Sequence, residues 1–313
     1  GENRPEDDFE FHKGNVDYTN YITNSLEKFG RKVPIVLSST IQIKNNNLYG
    51  KTKLAAEKSI ELYSKTTGSL YYIFRFPNIF GKWCRPNYNS FIATFCYNMA
   101  NGLDISVHDP NAKVNLVYID DVCKSFIEVL ENKPKSGLME ISNVYCSTVG
   151  QVAEIISTFK ESKDKLIIQR VGTGLTRALY STYLSYFSPE NFSYNIQSYK
   201  DDRGIFCEIL KTKDSGQFSF FTAYPGITRG GHYHHTKTEK FIVIKVKARF
   251  CFRNILTDEK YSKITSHENF EIIETVPGWS HDITNIGNSE MIVMLWANEI
   301  FDPEKPDTIE SVV

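Results

Sequence analysis

The hydrophobic pattern of this 313-residue chain changes its period near Gln217, and no other feature constrains the fold as strongly. Before that point, short apolar runs alternate with segments of helical periodicity. Residues 34–37 and 70–75 have the composition of buried strands, and residues 49–65 between them have the pattern of a helix. Strands separated by helices predict an α/β layer with a parallel sheet.

Two later segments also predict helices. Apolar residues with a spacing of 3.6 form two sets, Val122, Phe126, Val129 and Leu130, and Val152, Ile155, Ile156 and Phe159. Thr148 and Gln151 precede the second set with the spacing of a capping box, which marks the start of a helix.

After Gln217 the pattern is one of short strands with turn residues between them and no convincing helix. The predicted strands are 217–224, 241–244, 247–252, 270–276 and 291–297. Such a series favours an antiparallel barrel or sandwich. We therefore predict a boundary between Ser185 and Tyr199 and two domains, an α/β domain at 1–186 and an all-β domain at 187–313.

A cluster of histidines lies at the start of the all-β domain. His232 and His234 are two residues apart, so on an extended strand both imidazoles leave the same face. A turn after His235 can return Glu239 towards them, and His281 supplies a fourth candidate ligand beyond a later turn. His232, His234, Glu239 and His281 are therefore predicted to bind one metal ion.

The donor types indicate which metal the cluster would bind. Imidazole suits zinc, nickel, copper and iron, whereas a lone carboxylate is a poor match for calcium or magnesium. We predict zinc, with His235 pointing away from the ion. The alternative, a solvated histidine-rich loop, does not explain a matching histidine beyond a second turn.

The spacing of this cluster resembles the two signature motifs of the cupin family, small antiparallel β-barrels that hold a divalent metal. The matching positions are Gly226, His232, His234 and Glu239, then Gly278, His281 and Asn285. Val246 stands where the first motif has a glycine, and the proline of the second motif is shifted by one, to Pro277. Both departures fall in turns, so the resemblance still implies a C-terminal cupin β-barrel.

Arg229 and His232 also resemble the arginine and histidine of cupin-shaped nucleotide-sugar 3,5-epimerases. That resemblance implies that Arg229 contacts substrate and that His232 is the catalytic base. A histidine bound to metal through one nitrogen cannot accept a proton at that nitrogen. With metal present the base therefore lies elsewhere, and Lys237 is only a weak candidate.

The first domain contains Tyr49 and Lys53, which are neighbours on one face of the predicted helix. A nearby ammonium favours the phenolate and lowers the pKa of tyrosine, which suits proton exchange with a ketone or an alcohol. By itself this pair is equally consistent with an exposed helix turn. Here it follows a strand that ends at Thr40.

Together with residues 75–81 and 118–121, these residues resemble an extended short-chain dehydrogenase/reductase acting on nucleotide sugars. The resemblance implies a Rossmann-type fold and a nicotinamide cofactor. It makes Tyr49 the acid/base, Lys53 its activator and a cofactor contact, and Thr40 the hydroxyl that orients the substrate. Pro77 would lie beside the nicotinamide and Asn78 would contact the substrate.

A reductase joined to a cupin is similar to the bifunctional capsular polysaccharide synthesis enzyme F family. Residues 78–90, 179–186 and 301–307 carry this resemblance, which extends over essentially the whole chain. It implies a UDP-amino-sugar enzyme of surface polysaccharide synthesis. The cupin would epimerise C3 of a UDP-2-acetamido-2,6-dideoxy-hexos-4-ulose, and the reductase would reduce its C4 ketone with NADPH.

The sequence lacks a glycine-rich turn before Tyr49, where such a fold holds the cofactor pyrophosphate. The resemblance places the residues from Gly1 just after the third strand, so the domain is expected to be truncated and to bind NADPH negligibly. Gly172 and Gly174 follow a strand-like run, but an arginine stands in place of the third glycine, and we reject them. A sheet edge left open by missing strands favours a homodimer.

Composition argues against several other classes of protein. A net charge of −1, from 36 basic and 37 acidic residues, gives no electrostatic surface for nucleic acid. There is neither a membrane-length apolar run nor a signal peptide, and six scattered cysteines predict reduced thiols in the cytoplasm. The alternatives to a bifunctional enzyme are a cupin-only epimerase and a non-catalytic sugar-binding or structural module.

Overall fold

The computed structural model describes residues 2–313, and the expectation for Gly1 lies outside that range. The chain forms two compact units. One runs up to Ser157 and includes Val171–Ser188, and the other comprises Thr158–Arg170 and Pro189–Val313. None of the helices formed by residues 2–313 is long and apolar enough to cross a membrane.

The first unit contains seven α-helices and six strands among its described residues. The helices are α1 (Phe9–His12), α2 (Tyr18–Lys28), α3 (Leu48–Thr67), α4 (Phe91–Ala100), α5 (Ile119–Asn132), α6 (Val149–Thr158) and, after the second unit's α7, α8 (Gly174–Leu184). The strands are β1 (Ile35–Thr40), β2 (Tyr71–Phe76), β3 (Asn78–Phe80), β4 (Lys113–Tyr118), β5 (Gly137–Met139) and β6 (Tyr145–Thr148). A π-helical turn spans Lys13–Asp17, and a 3-10 turn spans Ile41–Lys44.

A parallel sheet in the order β1, β2, β5 confirms the α/β prediction, and β1 forms its edge. Its core includes Tyr72, Phe74 and Phe76 of β2, packed with Val122 and Val129 of α5. A second small sheet has the order β3, β4, β6. Val122, Phe126 and Val129 thus lie on the buried face of α5 as the helical period predicts, whereas Leu130 is 63% exposed.

The capping box at the start of α6 is also confirmed. The Thr148 N–H donates to the Gln151 side-chain oxygen at 3.0 Å, and the Gln151 N–H donates to the Thr148 hydroxyl at 3.2 Å. These two bonds satisfy donors that the first turn of a helix leaves unpaired.

The second unit contains one short helix, α7 (Glu161–Asp164), and twelve strands among its described residues. The strands are β7 (Ile167–Ile168), β8 (Ser198–Asp201), β9 (Gly204–Thr212), β10 (Gly216–Ala223), β11 (Thr228–Tyr233), β12 (Glu239–Lys245), β13 (Lys247–Asn254), β14 (Lys260–Ser266), β15 (Ile273–Glu274), β16 (Trp279–Asn285), β17 (Met291–Ala297) and β18 (Ile309–Glu310). A 3-10 turn spans Pro189–Asn191.

These strands form a seven-stranded and a five-stranded sheet with mostly antiparallel pairing. Both sheets contribute to one apolar core, which includes Phe221, Phe241 and Val293 from the first and Phe250 and Ile283 from the second. The prediction of a mainly antiparallel domain without helices after Gln217 is confirmed. The strands form two sheets that share a core and do not close into a single barrel.

The predicted strand at 270–276 is too long, because only Ile273–Glu274 pair as β15. Phe270 is 75% exposed, so its apolar character does not mark a buried strand. Strands β9, β11, β14 and β16 were not predicted. Their polar and charged side chains hide the apolar alternation on which the prediction depends.

Val246, which stands where cupins have a glycine, has a positive φ of 76°. It joins β12 to β13, and that tight connection requires the left-handed backbone. A β-branched residue in this conformation costs about 1–3 kcal/mol. The missing glycine therefore leaves the shape of the turn intact and adds local strain.

We expect Gly216→Ala to destabilise the second unit strongly. Gly216 has a φ of 80°, and a Cβ there would lie 1.7 Å from the carbonyl oxygen of Ala297. Left-handed strain and the backbone clash together predict a loss of about 2–5 kcal/mol in the free energy of unfolding. Urea unfolding followed by tryptophan fluorescence measures it.

Gly226 provides the matched control. Its φ is 78°, but a Cβ would meet nothing within 4 Å, so Gly226→Ala should cost only the left-handed strain, about 1–2 kcal/mol. Equal losses in the two variants would contradict the clash at Gly216.

Candidate functional site

The four predicted metal ligands come from three strands in both sheets of the second unit. His232 lies in β11, His234 follows that strand, Glu239 begins β12 and His281 lies in β16. Pairing of His232 with His281 across β11 and β16 places these two imidazoles side by side. The turn after His235 returns Glu239 to the cluster.

The donor atoms of this group all lie within 4.8 Å of one another. Glu239 Oε2 is 3.2 Å from His234 Nε2 and 3.4 Å from His281 Nε2. His234, Glu239 and His281 are buried, and His232 is half-buried. His235 is exposed and lies outside the group, as the sequence led us to expect.

The hydrogen bonds of the rings show that the group suits a cation. His234 Nδ1 lies 2.5 Å from the carbonyl oxygen of Asp307, which can only accept, so this nitrogen carries the proton. In a neutral ring, Nε2 then presents a lone pair to the Glu239 carboxylate. His281 Nε2 is buried and makes no hydrogen bond within residues 2–313. A divalent ion would satisfy these facing acceptors.

The electrostatics of the group favour deprotonated ligands. Burial, together with the neighbouring His281, lowers the pKa of His232 to about 4. Burial alone would raise the pKa of Glu239, but His234, His281 and Lys237 hold it well below its ordinary value. Metal ligands must be unprotonated, and His232 and Glu239 meet that condition near neutral pH.

Lys237 contacts the carboxylate and not the interior of the cavity. Its ammonium lies 3.2 Å from Glu239 Oε1, with only 11% of the side chain exposed. This contact occupies one carboxylate oxygen and leaves Oε2 facing the histidines. Lys237 is thus better placed to orient Glu239 than to act as a base.

A cavity of about 240 Å³ adjoins the cluster. Phe206, Phe221 and Phe241 contribute apolar wall, and Arg203 and Arg229 contribute positive charge. Arg229 Nε donates to the carbonyl of Thr222 at 2.9 Å, whereas its buried Nη2 has no hydrogen-bond partner within the described residues. Nη2 lies 3.8 Å from Asp201 Oδ1, beyond hydrogen-bond distance, so it can donate to an anionic or carbonyl oxygen of a ligand.

In the first unit, the predicted reductase residues line a second cavity of about 950 Å³. Its lining includes Thr40, Tyr49, Lys53, Pro77 and Asn78. Thr40 ends β1, whereas Tyr49 and Lys53 lie in the first turns of α3. The Asn47 side chain caps this helix by accepting from the Gly50 N–H at 2.7 Å. The structure thus brings all five residues to one cavity.

The expected lowering of the pKa of Tyr49 by Lys53 is not observed. Burial raises the pKa of the Tyr49 phenol, and a hydrogen bond with Thr40 lowers it in part. The ammonium of Lys53 instead donates to the carbonyl of Ser38 at 2.6 Å. The phenol therefore stays protonated near neutral pH, which suits donation of a proton.

A buried carboxylate, which the sequence reading did not single out, supports this arrangement. Glu57 lies one turn beyond Lys53 in α3 and accepts from Arg75 Nη2 at 2.7 Å and from the Ser39 hydroxyl. Burial lowers the pKa of Lys53, and Glu57 opposes that shift. The spacing of four residues between Lys53 and Glu57 was the available signal.

The glycines rejected as a phosphate loop do not reach this cavity. The strand before Gly172 is β7, which pairs with β9 in the second unit's sheet, and neither Gly172 nor Gly174 lines the cavity. Gly14, in the π-helical turn, is the glycine in its described lining.

Comparison with known proteins finds a family profile in each part of the chain. The profile of the NAD dependent epimerase/dehydratase family matches residues 6–144, and the profile of the polysaccharide biosynthesis C-terminal domain matches residues 199–309. A Pseudomonas aeruginosa protein named UDP-2-acetamido-2,6-beta-L-arabino-hexul-4-ose reductase is 52% identical over 309 residues, which are 98% of this chain and 83% of the relative.

The crystal structure of the capsular polysaccharide assembling protein CapF from Staphylococcus aureus superposes with a TM-score of 0.91 and 41% identity. It covers 100% of this chain and 85% of its own. The chain belongs to the capsular polysaccharide synthesis enzyme F family. A structure of CapF with the inhibitor 3-isopropenyl-tropolone has a TM-score of 0.84 and 38% identity, and covers 95% of this chain and 83% of its own.

Membership of the capsular polysaccharide synthesis enzyme F family confirms the recognition made from sequence and identifies the chain as an enzyme of polysaccharide biosynthesis. The family's fold, a parallel epimerase-type sheet followed by antiparallel sheets, is the one predicted. Sequence reasoning missed Arg203, Glu57 and Asp307, which lie near the two sites through tertiary contacts.

Proposed function

We propose that the two units serve C3 epimerisation and C4 reduction of a UDP-2-acetamido-2,6-dideoxy-hexos-4-ulose, one reaction in each unit, and that residues 1–313 on their own carry out only the epimerisation. The observation that carries the proposal is the presence of two separate, complementary sites. One gathers three histidines and a carboxylate beside two arginines, and the other gathers Tyr49, Lys53 and Thr40 in one cavity. The name of the P. aeruginosa relative supports the same substrate class.

Epimerisation passes the C3 proton, which the adjacent C4 ketone acidifies, to a base outside the metal ligands, and a proton then returns to the opposite face of C3. A zinc ion held by His232, His234, Glu239 and His281 would supply a positive charge that stabilises the resulting enolate. Arg229 donates to the Thr222 carbonyl, lies over Phe221 at 5.3 Å and forms an ion pair with Asp201 at 3.8 Å, so its guanidinium is held in place before a ligand binds. Arg229 suits the diphosphate or the ketone oxygen, whereas Arg203 donates to Asp201 at 2.6 and 3.0 Å and adds to the positive charge of the cavity.

Reduction requires a proton at the C4 oxygen as hydride reaches C4. Tyr49 is the proton donor, since burial keeps its phenol protonated, and Thr40 hydrogen-bonds it. Lys53 is held by Ser38, and the Glu57–Arg75 pair fixes the adjoining turn of α3. A bound NADPH would supply the hydride, and Pro77 and Asn78 complete the wall around the reacting atoms.

Proton exchange at C3 tests the epimerase half without NADPH. In heavy water, zinc-loaded protein should incorporate deuterium at C3 of the 4-keto UDP-sugar, as followed by NMR. Arg229→Ala should slow exchange by about 10²-fold, since a group that stabilises charge in the transition state is lost. Arg249→Ala, which removes an arginine of β13 that does not line the cavity, is the control.

Absence of exchange with zinc-loaded protein would contradict epimerisation and favour a non-catalytic sugar-binding module. Exchange without reduction, even by a chimera that carries a dinucleotide-binding unit ahead of residue 1, would favour a cupin-only epimerase. The six cysteines are free thiols, so we place the enzyme in a reducing compartment such as the cytoplasm. The open edge of β1 supports a homodimer as part of the proposal.

A further inference from the structure

The last residues of the chain lie against the metal-ligand cluster. We define residues 307–312 as the C-terminal strap. Its Ile309 and Glu310 form β18, which pairs with Tyr233 and His232 of β11. The Ser311 N–H donates to the Gly231 carbonyl at 2.9 Å. The strap therefore adds a strand alongside the one that carries His232.

The strap also holds the strand that carries His281. The Ser280 hydroxyl donates to the Ser311 carbonyl at 2.5 Å. Arg253 donates to the Val312 carbonyl at 2.8 Å and to the Ser311 hydroxyl at 2.9 Å. Ser280 precedes His281 in β16, so one short segment contacts both strands whose histidines face each other.

Asp307 makes the densest set of contacts in the strap. Its Oδ1 accepts the His235 N–H at 2.9 Å, and its Oδ2 accepts the N–H groups of Thr236 and Lys237 at 2.6 and 2.8 Å. The Thr236 hydroxyl also donates to Oδ2, at 2.9 Å. A single carboxylate thus fixes the turn that connects His234 to Glu239.

The backbone of Asp307 determines which nitrogen of His234 is available. Its carbonyl accepts the Nδ1–H of His234, so Nε2 is left unprotonated and faces Glu239. A partner behind a ligating histidine fixes the ring orientation and its tautomer. The side chain and the backbone of Asp307 therefore act on the same ligand pair.

From these contacts we propose that the C-terminal strap, and Asp307 above all, is a positioning element that presets the His234–Glu239 half of the metal site. This inference rests on the proposed metal site and extends it to residues outside the ligand set. Asp307 acts through His234 and the 235–237 turn and does not touch the ion.

The test measures metal affinity and coordination geometry, not activity. The full chain is stripped with a chelator, then titrated with cobalt(II), whose visible absorption reports coordination, and with zinc against a competing chelator. Asp307→Ala should weaken binding by about 10- to 100-fold and alter the cobalt spectrum, since an outer contact that orients ligands is lost. Asp302→Ala, in the same exposed C-terminal region, should bind as wild type does.

A second variant and a metal-free readout separate positioning from general damage. Asp307→Asn keeps the shape but loses the charge, so it should show an intermediate affinity. Hydrogen exchange of the 235–237 amides in the chelator-treated protein should accelerate in both Asp307 variants and not in Asp302→Ala. Far-UV circular dichroism and the melting temperature verify that each variant folds.

The outcomes separate failure of the metal site from failure of the role proposed for the strap. A wild-type chain that binds neither ion would overturn the metal site and with it the role of the strap. Wild-type affinity, an unchanged cobalt spectrum and unchanged amide exchange in Asp307→Ala would overturn the strap alone and leave the metal site standing.

Discussion

The double substitution His232→Ala, His281→Ala is expected to abolish stoichiometric metal binding. These two imidazoles lie opposite each other on β11 and β16, and their removal leaves only His234 and Glu239. A site reduced from four ligands to two loses most of its affinity, because structural zinc binding of about 10–16 kcal/mol is shared among the ligands. Elemental analysis should give one zinc per wild-type chain and none per variant.

Metal binding should also appear as stability. An ion that binds only the folded state at 100 times its dissociation constant adds about 2.7 kcal/mol. A chelator should therefore lower the melting temperature of the wild-type second unit and leave that of the double variant unchanged. His235→Ala, which removes an exposed imidazole from the same loop, is the control and should keep its metal.

Two results would contradict this prediction. If wild-type protein prepared without chelators contains no transition metal, the predicted metal site is wrong. Retention of one ion by the double variant would place the ion on other residues.

Binding of the nicotinamide cofactor is the second property for which we expect a large loss. We expect residues 1–313 on their own to bind NADPH negligibly and to reduce no 4-keto sugar. Hydride transfer needs the nicotinamide held in near-attack geometry, and pyrophosphate contacts at a glycine-rich turn provide much of that hold. Each charge-assisted hydrogen bond contributes about 1.5–3 kcal/mol, so loss of several lowers affinity by several decades.

Within residues 2–313, the wall of the Tyr49 cavity offers no such turn, since Gly14 is its one glycine and lies in a helical turn. Titration with NADPH, followed by cofactor fluorescence, measures the affinity directly. Micromolar binding by residues 1–313 would mean that another phosphate site exists and that this prediction is wrong.

A chimera that carries a dinucleotide-binding βαβ unit ahead of residue 1 should bind NADPH and reduce the ketone. In that background, Tyr49→Phe should lower reduction by about 10²–10⁴-fold while leaving cofactor binding nearly unchanged, because only the proton donor is lost. Tyr21→Phe is the control, as its ring is 71% exposed and does not line the cavity. Equal reduction by Tyr49→Phe would assign the proton to another group.

The fold class of each unit follows from local sequence patterns. Alternating strand and helix periods before Gln217 predicted the parallel sheet of β1, β2 and β5, and the loss of helical period after it predicted antiparallel sheets. Each pattern arises because a helix or strand buries one face, so it can be recognised from neighbouring residues without knowledge of the fold. His232, His234 and Glu239 are also close together in the sequence, so their spacing could be recognised in the same way.

Other features were decided only by the tertiary structure. Whether Lys53 acts on Tyr49 depends on the Ser38 carbonyl, which captures its ammonium, and on burial, which raises the pKa of the phenol. Lys237 was only a weak candidate for the base in the sequence, and in the fold its ammonium is held against Glu239. Side-chain direction and solvent exclusion cannot be obtained from spacing.

The contact between Asp307 and the turn after His234 spans more than seventy residues of chain. No periodicity or motif connects an aspartate near the C-terminus to three amide groups at 235–237, because that contact exists only once β18 pairs with β11. The sequence therefore determined which residue types can bind metal and exchange protons. The tertiary structure decided which of their atoms are free to do so, because hydrogen bonds and burial set by distant segments fix each ring and each charge.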